Sequence, residues 1–251
     1  MKKILSIVLA SFLFFSCEDA LVESPKSLAV ETFYNTPAEV EAAIAAIYTP
    51  LRDQGCMGGL YPTQLECYTD FAYGRGSHAV LSNFQGLDGT NQSRIGTFWD
   101  KFYLAIRNAN IVIKNAPNGS KLSQTDIAKY VAEAKFLRAF TYFHMVRSWG
   151  GVPIRTEANM TEQTIKRNTA DEVYQLIYSD LQFAEANLPE TPSLVGKPSK
   201  WAAKTLLADV YFYQGKNAEA RDKAKEVIAS NKFSLVSVAT ADDFSKIFGP
   251  E

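Results

Sequence analysis

The stretch AKFLRAFTYFHMVRSWGGVPI, residues 134–154, carries the strongest fold signal in this chain. The helix that contains it should begin at Ser123, a residue type that caps helix N-termini well. It should run to about Ser148 and end at Gly150 and Gly151, because glycine adopts the left-handed conformation that helix ends require. The last three residues of the stretch then continue in extended form. The sequence therefore predicts one long helix with a sharp exit.

Five more helices are predicted on either side of this one. The first begins with TPAE at residues 36–39, which combines an N-cap residue, a first-turn proline and a capping-box glutamate, and it should end near residues 53–55. The other four are expected at about 92–115, from Thr169 to just before Pro189, from Ser199 to Gly215, and at about 217–230. Only residues 233–238 have a strand-like pattern, so the sequence predicts an all-α fold.

The last predicted helices carry small and aromatic residues at regular spacings. These positions resemble a tetratricopeptide repeat, and they are Leu207, Ala208, Tyr211, Gly215, Ala220 and Ala224. Lys232 stands where that repeat usually ends in proline. An ordinary helical hairpin with alanine at its contact is the alternative. We expect tetratricopeptide-like hairpins over about 123–230, with Ala208 and Ala220 allowing close approach of two helices.

Residues 55–90 show no sustained periodicity and are rich in Gly, Ser, Asp, Asn and Tyr. A long irregular loop is expected here, and long loops in compact domains are usually functional or disordered. Cys56 and Cys67 lie in this region, and the sequence leaves open whether they form a disulfide. Neither His78 nor His144 lies at zinc-finger spacing from them, so no metal site is expected.

The N-terminal sequence MKKILSIVLASFLFFSCED, residues 1–19, has the layout of a secretory signal. Two lysines precede an apolar run at residues 4–15, and a small residue stands before Cys17. This pattern resembles a bacterial lipobox, in which Cys17 would receive palmitate-type acyl chains and residues 1–16 would be removed. The acidic pair after Cys17 is similar to the surface-export signal of Bacteroidetes lipoproteins. An ordinary signal peptide with a coincidental cysteine is the alternative.

These patterns divide the chain into a signal peptide (1–16), an N-terminal tether (17–35) and a helical domain (36–251). The whole chain has 26 basic and 27 acidic residues, a net charge of −1, and loss of the two signal lysines changes it to −3. No basic stripe remains, which argues against nucleic acid as a partner. We expect a protein that is attached to the outer membrane by lipid and exposed at the cell surface.

Residues 134–154 also indicate a family. They resemble the motif A-E-A-x-F-L-R-A-x-x-Y-F-x-L-V-x-x-[YFW]-G-x-V-P of SusD/RagB outer-membrane lipoproteins. Further matches to the N-terminal half of that family are Thr32, Phe33, Tyr34, Trp99, Tyr103, Ile106 and Asn110. The resemblance covers essentially the whole chain. Family members are usually about twice as long, so it implies that a C-terminal half is missing.

The resemblance implies a lipoprotein that binds an oligosaccharide or polysaccharide and passes it to a SusC-type TonB-dependent transporter, without catalysis and without a cofactor. The chain contains no H-E-x-x-H, G-x-S-x-G or P-loop motif, which also argues against an enzyme. His144 is expected in the core or a groove rather than at a catalytic centre. Arg138 and Arg147 are expected to form ion pairs or to cap helix carbonyl groups.

Residues of the 55–90 region are the candidates for contact with sugar. Sugars present apolar C–H faces that stack on aromatic rings, and hydroxyls that pair with planar polar groups. The candidate residues are Glu66, Asp70, Phe71, Tyr73, Arg75 and His78. An ordinary solvated loop is one alternative, and a tetratricopeptide-type scaffold that binds a polypeptide at the outer membrane is another. A glycan-binding protein should expose loop aromatics, whereas a scaffold should expose groups near Tyr211 and Tyr213.

Overall fold

The computed structural model describes residues 33–248, and these residues form an all-α structure. In chain order the helices are α1 (Pro37–Arg52), α2 (Leu60–Glu66), α3 (Ala79–Ser82), α4 (Gly89–Asn115), α5 (Gln124–Trp149), α6 (Ala170–Asn187), α7 (Lys200–Tyr213), α8 (Asn217–Ala229) and α9 (Ser245–Phe248). The predicted signal peptide, the lipidation site at Cys17 and most of the tether lie outside the described residues. None of the described helices is long and apolar enough to cross a membrane.

The six long helices confirm the predicted fold class, and their ends follow capping residues in the sequence. Thr36 and Thr169 each accept a hydrogen bond from the N–H of the glutamate three residues later, and that glutamate bonds back in a complete capping box. Asp88 caps α4, which therefore begins slightly before the predicted position. Gly150 and Gly215 have φ of +69° and +70°, as expected for glycines that end helices.

The 55–90 region is more ordered than its composition predicts, because it contains α2, α3 and a short 3₁₀ turn. Buried side chains anchor both short helices. Tyr61 of α2 packs edge-on against Phe98 and Phe102 of α4, with ring centroids 5.3 and 5.1 Å apart. Leu81 of α3 is fully buried. Periodicity does not reveal such helices, because each is too short to repeat a buried face.

The structure also decides two points that the sequence raises: the candidate strand at residues 233–238 and the pairing of Cys56 with Cys67. Residues 233–238, the one candidate strand in the sequence, form none: residues 33–248 contain no strand, and this segment has no regular structure. A strand is stable only beside another strand, and without one the Leu235 side chain is 98% exposed. Cys56 and Cys67 are both buried and remain free thiols, so they form no disulfide.

Consecutive long helices pack against one another, with α1 and α5 on α4, α6 on α5, α7 on α6 and α8 on α7. Each helix therefore contacts mainly its neighbours, as in a repeat solenoid. In the α7–α8 pair, Leu207 is fully buried and Ala220 is nearly so. Ala208 is half-buried and lines the same groove as Ala220, so their close approach stays a prediction. Tyr211 stacks on Tyr178 of α6 at 5.1 Å.

A buried ionic cluster joins α4, α5, α6 and the segment that follows α5. Arg138 of α5 donates two hydrogen bonds to the carboxylate of Asp180 on α6, at 2.7 and 2.9 Å. Its Nη1 donates to Asn110 of α4 at 2.7 Å and to Glu157 at 2.6 Å. Lys135 also pairs with Asp180, at 3.0 Å. The prediction that Arg138 forms ion pairs is confirmed.

Candidate functional site

An aromatic groove opens between α2, the first half of α4 and the C-terminal end of α5. Its volume is about 630 Å³, within the range of about 300–1,000 Å³ that is usual for small-molecule sites. The rings that line it are Tyr61, Tyr68, Phe98, Trp149 and Tyr213. The polar residues that line it are Gln64, His144, Arg147 and Ser148. The groove thus combines flat apolar surfaces with a few convergent polar groups.

Hydrogen bonds fix most of these polar groups. Tyr61 OH lies 2.9 Å from Ser148 Oγ and 3.4 Å from His144 Nδ1. Arg147 Nη2 lies 3.3 Å from the same His144 nitrogen, which therefore accepts, while the other ring nitrogen carries the proton. Burial, reinforced by the positive charge of Arg147, lowers the pKa of His144 to about 4. His144 is a neutral groove residue at neutral pH, in agreement with the sequence-based prediction.

Gln64 offers the groove a hydrogen-bond acceptor that the fold leaves unused. The residue is 3% exposed, and its Oε1 has no hydrogen-bond partner among the described residues. A buried polar atom without a partner costs about 1–3 kcal/mol. The oxygen itself is inaccessible to solvent, so a ligand hydroxyl that donates to it and removes that penalty would require the Gln64 amide to turn toward the groove. The groove therefore favours a ligand rich in hydroxyl groups over a purely apolar one.

The six loop residues predicted to contact sugar do not line the aromatic groove. They lie on one continuous stretch from the end of α2 to the start of α3, and they are Glu66, Asp70, Phe71, Tyr73, Arg75 and His78. Phe71 is 94% exposed and Tyr73 is 64% exposed, as expected of a loop that presents rings to solvent. Their chain neighbour Tyr68 does line the groove. A role for the six in binding stays a prediction.

The sequence does not single out several residues that form the groove. Tyr61, Gln64 and Tyr68 stand three and four residues apart, but α2 is too short, and ends before Tyr68, for that spacing to identify a helix face from the sequence. Trp149 gives no local signal either, because only the packing of α5 on α4 brings its ring to Phe98, with centroids 5.8 Å apart.

A larger groove elsewhere in the described chain is less suitable for a neutral sugar. A groove of about 1000 Å³ between α1 and α5 is larger but mostly apolar. Its Tyr48 OH and Lys197 Nζ are already bonded to the carboxylate of Glu133, at 2.8 and 3.2 Å. Residues 33–248 contain no group of three or more His, Cys, Asp and Glu side chains arranged to hold a metal ion. The aromatic groove is therefore the candidate functional site.

An open groove that combines aromatic rings with convergent polar groups is typical of the class of ligand-binding proteins. Comparison with known families defines this class further. Residues 22–212 match a SusD-like family model described as "Starch-binding associating with outer membrane". The match covers well over half of the chain. The chain therefore belongs to the SusD-like family, as the motif at residues 134–154 predicts.

Individual SusD-like proteins also match this chain in sequence or in structure. SusD-like protein P25 of Formosa agariphila is 29% identical over 270 residues, which cover 99% of this chain and 49% of that protein. A solved laminarin-binding SusD-like protein is 29% identical with a TM-score of 0.66, covering 77% of this chain and 44% of its own. Another solved protein, whose crystal structure is described as being with xylogluco-oligosaccharide, is 27% identical in sequence and matches with a TM-score of 0.66. The match covers 78% of this chain and 41% of that protein. The chain spans about half the length of the relatives that it matches.

Proposed function

We propose that this protein is a surface-exposed lipoprotein of the outer membrane that binds a glycan and passes it to a SusC-type TonB-dependent transporter. The aromatic groove, with the unpartnered acceptor of Gln64 on its wall, is the observation that carries the glycan-binding part. The starch-binding and outer-membrane description of the family supports the proposal. The laminarin-binding relative and the relative with xylogluco-oligosaccharide support the ligand class.

Binding in this groove requires no bond chemistry. Tyr68 and Tyr213, which are 42% and 53% exposed, present rings to the C–H faces of a sugar. The buried amide of Gln64 turns toward the groove to accept a hydroxyl hydrogen through Oε1. Phe71 and Tyr73 would extend the contact along a longer glycan. Burying one aromatic side chain contributes about 1–3 kcal/mol, so we expect weak binding that depends on several rings at once.

Affinity gel electrophoresis with laminarin or xyloglucan in the gel tests this proposal. Tyr68→Ala should remove most of the retardation of the parent, and Phe71→Ala and Tyr73→Ala should each weaken it, because each removes one stacking surface. Phe233→Ala is the matched control, since Phe233 is 64% exposed and lies outside both the groove and the loop. Circular dichroism should show the same helical content in all four variants.

Two outcomes would count against the assignment. Equal retardation of the parent and the three binding variants would move the site away from the groove and the loop. Failure of laminarin, xyloglucan and other polysaccharides to retard either the parent or a full-length relative would contradict glycan binding and favour the scaffold function.

A scaffold that binds a polypeptide is the second candidate function. The groove between α7 and α8 is lined by Ala208, Phe212 and Arg221, and Phe212 is 69% exposed. Aromatic rings are thus exposed both there and on the loop after α2, so exposure alone supports either function. Glycan binding is preferred because the aromatic groove adds an unused buried acceptor to its rings.

A further inference from the structure

A second pocket lies between α4 and the segment that follows α5, and it shares no lining residue with the aromatic groove. Its volume is about 410 Å³. Its lining residues are Tyr103, Arg107, Asn110, Ile111, Arg155 and Met160. We name it the arginine pocket, because both of its charged lining residues are arginines.

Arg155 is held in place by buried neutral groups. Its main-chain N–H donates to Tyr142 OH at 2.7 Å, and its carbonyl accepts from Tyr142 OH at 3.1 Å and from Asn110 Nδ2 at 3.0 Å. Both Tyr142 and Asn110 are fully buried. The guanidinium Nη1 donates to the main-chain carbonyls of Glu162 and Asn159, at 2.7 and 3.4 Å. Carbonyl dipoles therefore position this charge, and no described carboxylate neutralises it.

Arg107 supplies a second positive charge, which acts to lower the pKa of Tyr34 but is not paired with an acidic side chain among residues 33–248. Within residues 33–248 its exposed side chain forms no hydrogen bond and no ion pair. Glu157, the acidic residue nearest to Arg155 in the sequence, is already paired with Arg138 at 2.6 Å. Two guanidinium groups that line one pocket repel each other, and an anion bound between them would replace repulsion with attraction.

We propose that the arginine pocket binds the carboxylate or sulfate group of an acidic glycan. This inference rests on the proposed glycan-binding function and names the ligand class. Guanidinium groups bind oxyanions through paired hydrogen bonds, which are stronger than bonds between neutral groups. The apolar surfaces of Tyr103, Ile111 and Met160 pack against the C–H faces of the sugar ring. The volume of the pocket lies within the usual range of about 300–1,000 Å³ for small-molecule sites.

Calorimetric titration of the full chain tests the inference with three probes: oligogalacturonate, a sulfated carrageenan oligosaccharide and a neutral xylogluco-oligosaccharide. Arg107→Ala should weaken binding of an acidic probe by about tenfold or more, as expected for loss of a hydrogen bond to a charged group. Binding of the neutral probe should not change. Lys114→Ala is the matched control, since it removes the same charge from an exposed position on α4 outside the pocket.

The outcomes separate the two sources of negative charge. An effect of Arg107→Ala on oligogalacturonate alone assigns the pocket to carboxylates, and an effect on the carrageenan probe alone assigns it to sulfate esters. Equal weakening by Arg107→Ala and Lys114→Ala would overturn the proposal, because it would reflect only the net charge of the protein. Unchanged circular dichroism of Arg107→Ala, expected for an exposed side chain without a hydrogen bond or ion pair among residues 33–248, excludes a folding defect.

The outcomes also separate this inference from the proposed function. Suppose that the neutral probe binds through Tyr68 and that Arg107→Ala leaves binding of both acidic probes unchanged. The proposal that the arginine pocket binds an acidic glycan would then be wrong, whereas the proposal of glycan binding in the aromatic groove would stand. If the acidic probes bind through Arg107 and Tyr68→Ala affects no probe, the arginine pocket stands and the aromatic groove is not the glycan site.

Discussion

Arg138 lies on α5 with 2% of its side chain exposed, and each nitrogen of its guanidinium group has a partner on α4, α6 or the segment after α5. Burial acts to lower the pKa of Arg138, but hydrogen bonds and charge from Asp180 and Glu157 outweigh it and raise the pKa. The cluster also reaches the arginine pocket, because Asn110 accepts from Arg138 and donates to the Arg155 carbonyl.

The buried pair leads to a prediction at the residue scale. Asp180→Asn removes the charge that balances Arg138, so it should lower the free energy of unfolding by about 3–5 kcal/mol, as for other buried pairs that lose one partner. Urea denaturation followed by circular dichroism measures this change. Asp222→Asn is the control: its pair with Arg221 is about 60% exposed, and its loss should change stability by less than about 1 kcal/mol.

Similar small effects from Asp180→Asn and Asp222→Asn would show that the cluster does not stabilise the fold. The buried network would then serve only to orient the segment after α5. That orientation has a separate readout, because the binding of acidic glycans should weaken whenever Arg155 is displaced.

At the scale of elements, two glycines allow the sharp exit from α5. Gly150 has φ of +69° and ψ of −134°, a backbone conformation that other residues rarely adopt. Gly151 is needed for a different reason, since a Cβ at this position would lie 2.1 Å from the main-chain oxygen of Asn168. Arg167 donates to the main-chain carbonyl of Gly151 at 2.6 Å and to the last carbonyl of α5 at 2.8 Å. The exit therefore returns the chain against residues 167–168.

Gly151→Ala should lower the free energy of unfolding by about 1–3 kcal/mol, because the added methyl group displaces the segment from Asn168. Gly96→Ala is the control, and it should change the free energy of unfolding in the opposite direction. Gly96 lies on the exposed side of α4, and a Cβ added there would meet nothing within 4 Å beyond the backbone of its own helix. Alanine at this position should therefore stabilise the helix by about 0.5–1 kcal/mol. Thermal unfolding of both variants checks the pair. A rise in Tm for Gly151→Ala would contradict the close approach of Gly151 to the main-chain oxygen of Asn168.

At the scale of the whole molecule, the proposed function depends on attachment to the outer membrane through Cys17. Acyl chains contribute about 0.8 kcal/mol per buried CH₂ group, so more than one chain gives stable attachment. Cys17→Ala should therefore release the protein from the membrane fraction. Cys67→Ala, which removes a buried free thiol from the helical domain, should remain membrane-bound. Cell fractionation with a high-salt wash measures both, and a Cys17→Ala variant that still sediments with outer membranes would refute the anchor.

The sequence by itself determined the helical class, the helix ends and the family of this protein. These features depend on neighbours within a few positions, such as the capping box at residues 36–39 and the glycine pair after α5. Helix periodicity is also local, so the six long helices could be predicted within a few residues. The lack of a strand at residues 233–238 was not predictable in this way, because the local pattern does not show whether another strand lies beside it.

Only the tertiary structure decided which groups meet. Arg138 and Asp180 are 42 residues apart in the sequence, and packing of α6 on α5 brings them within 2.7 Å. Packing of other distant elements brings Arg107 and Arg155 to one pocket and leaves the buried Gln64 acceptor without a described partner beside a groove of rings. Local patterns carry no information on these distances, because they depend on how whole helices pack. The exposed loop after α2 could be predicted from composition, whereas the aromatic groove required the packed fold.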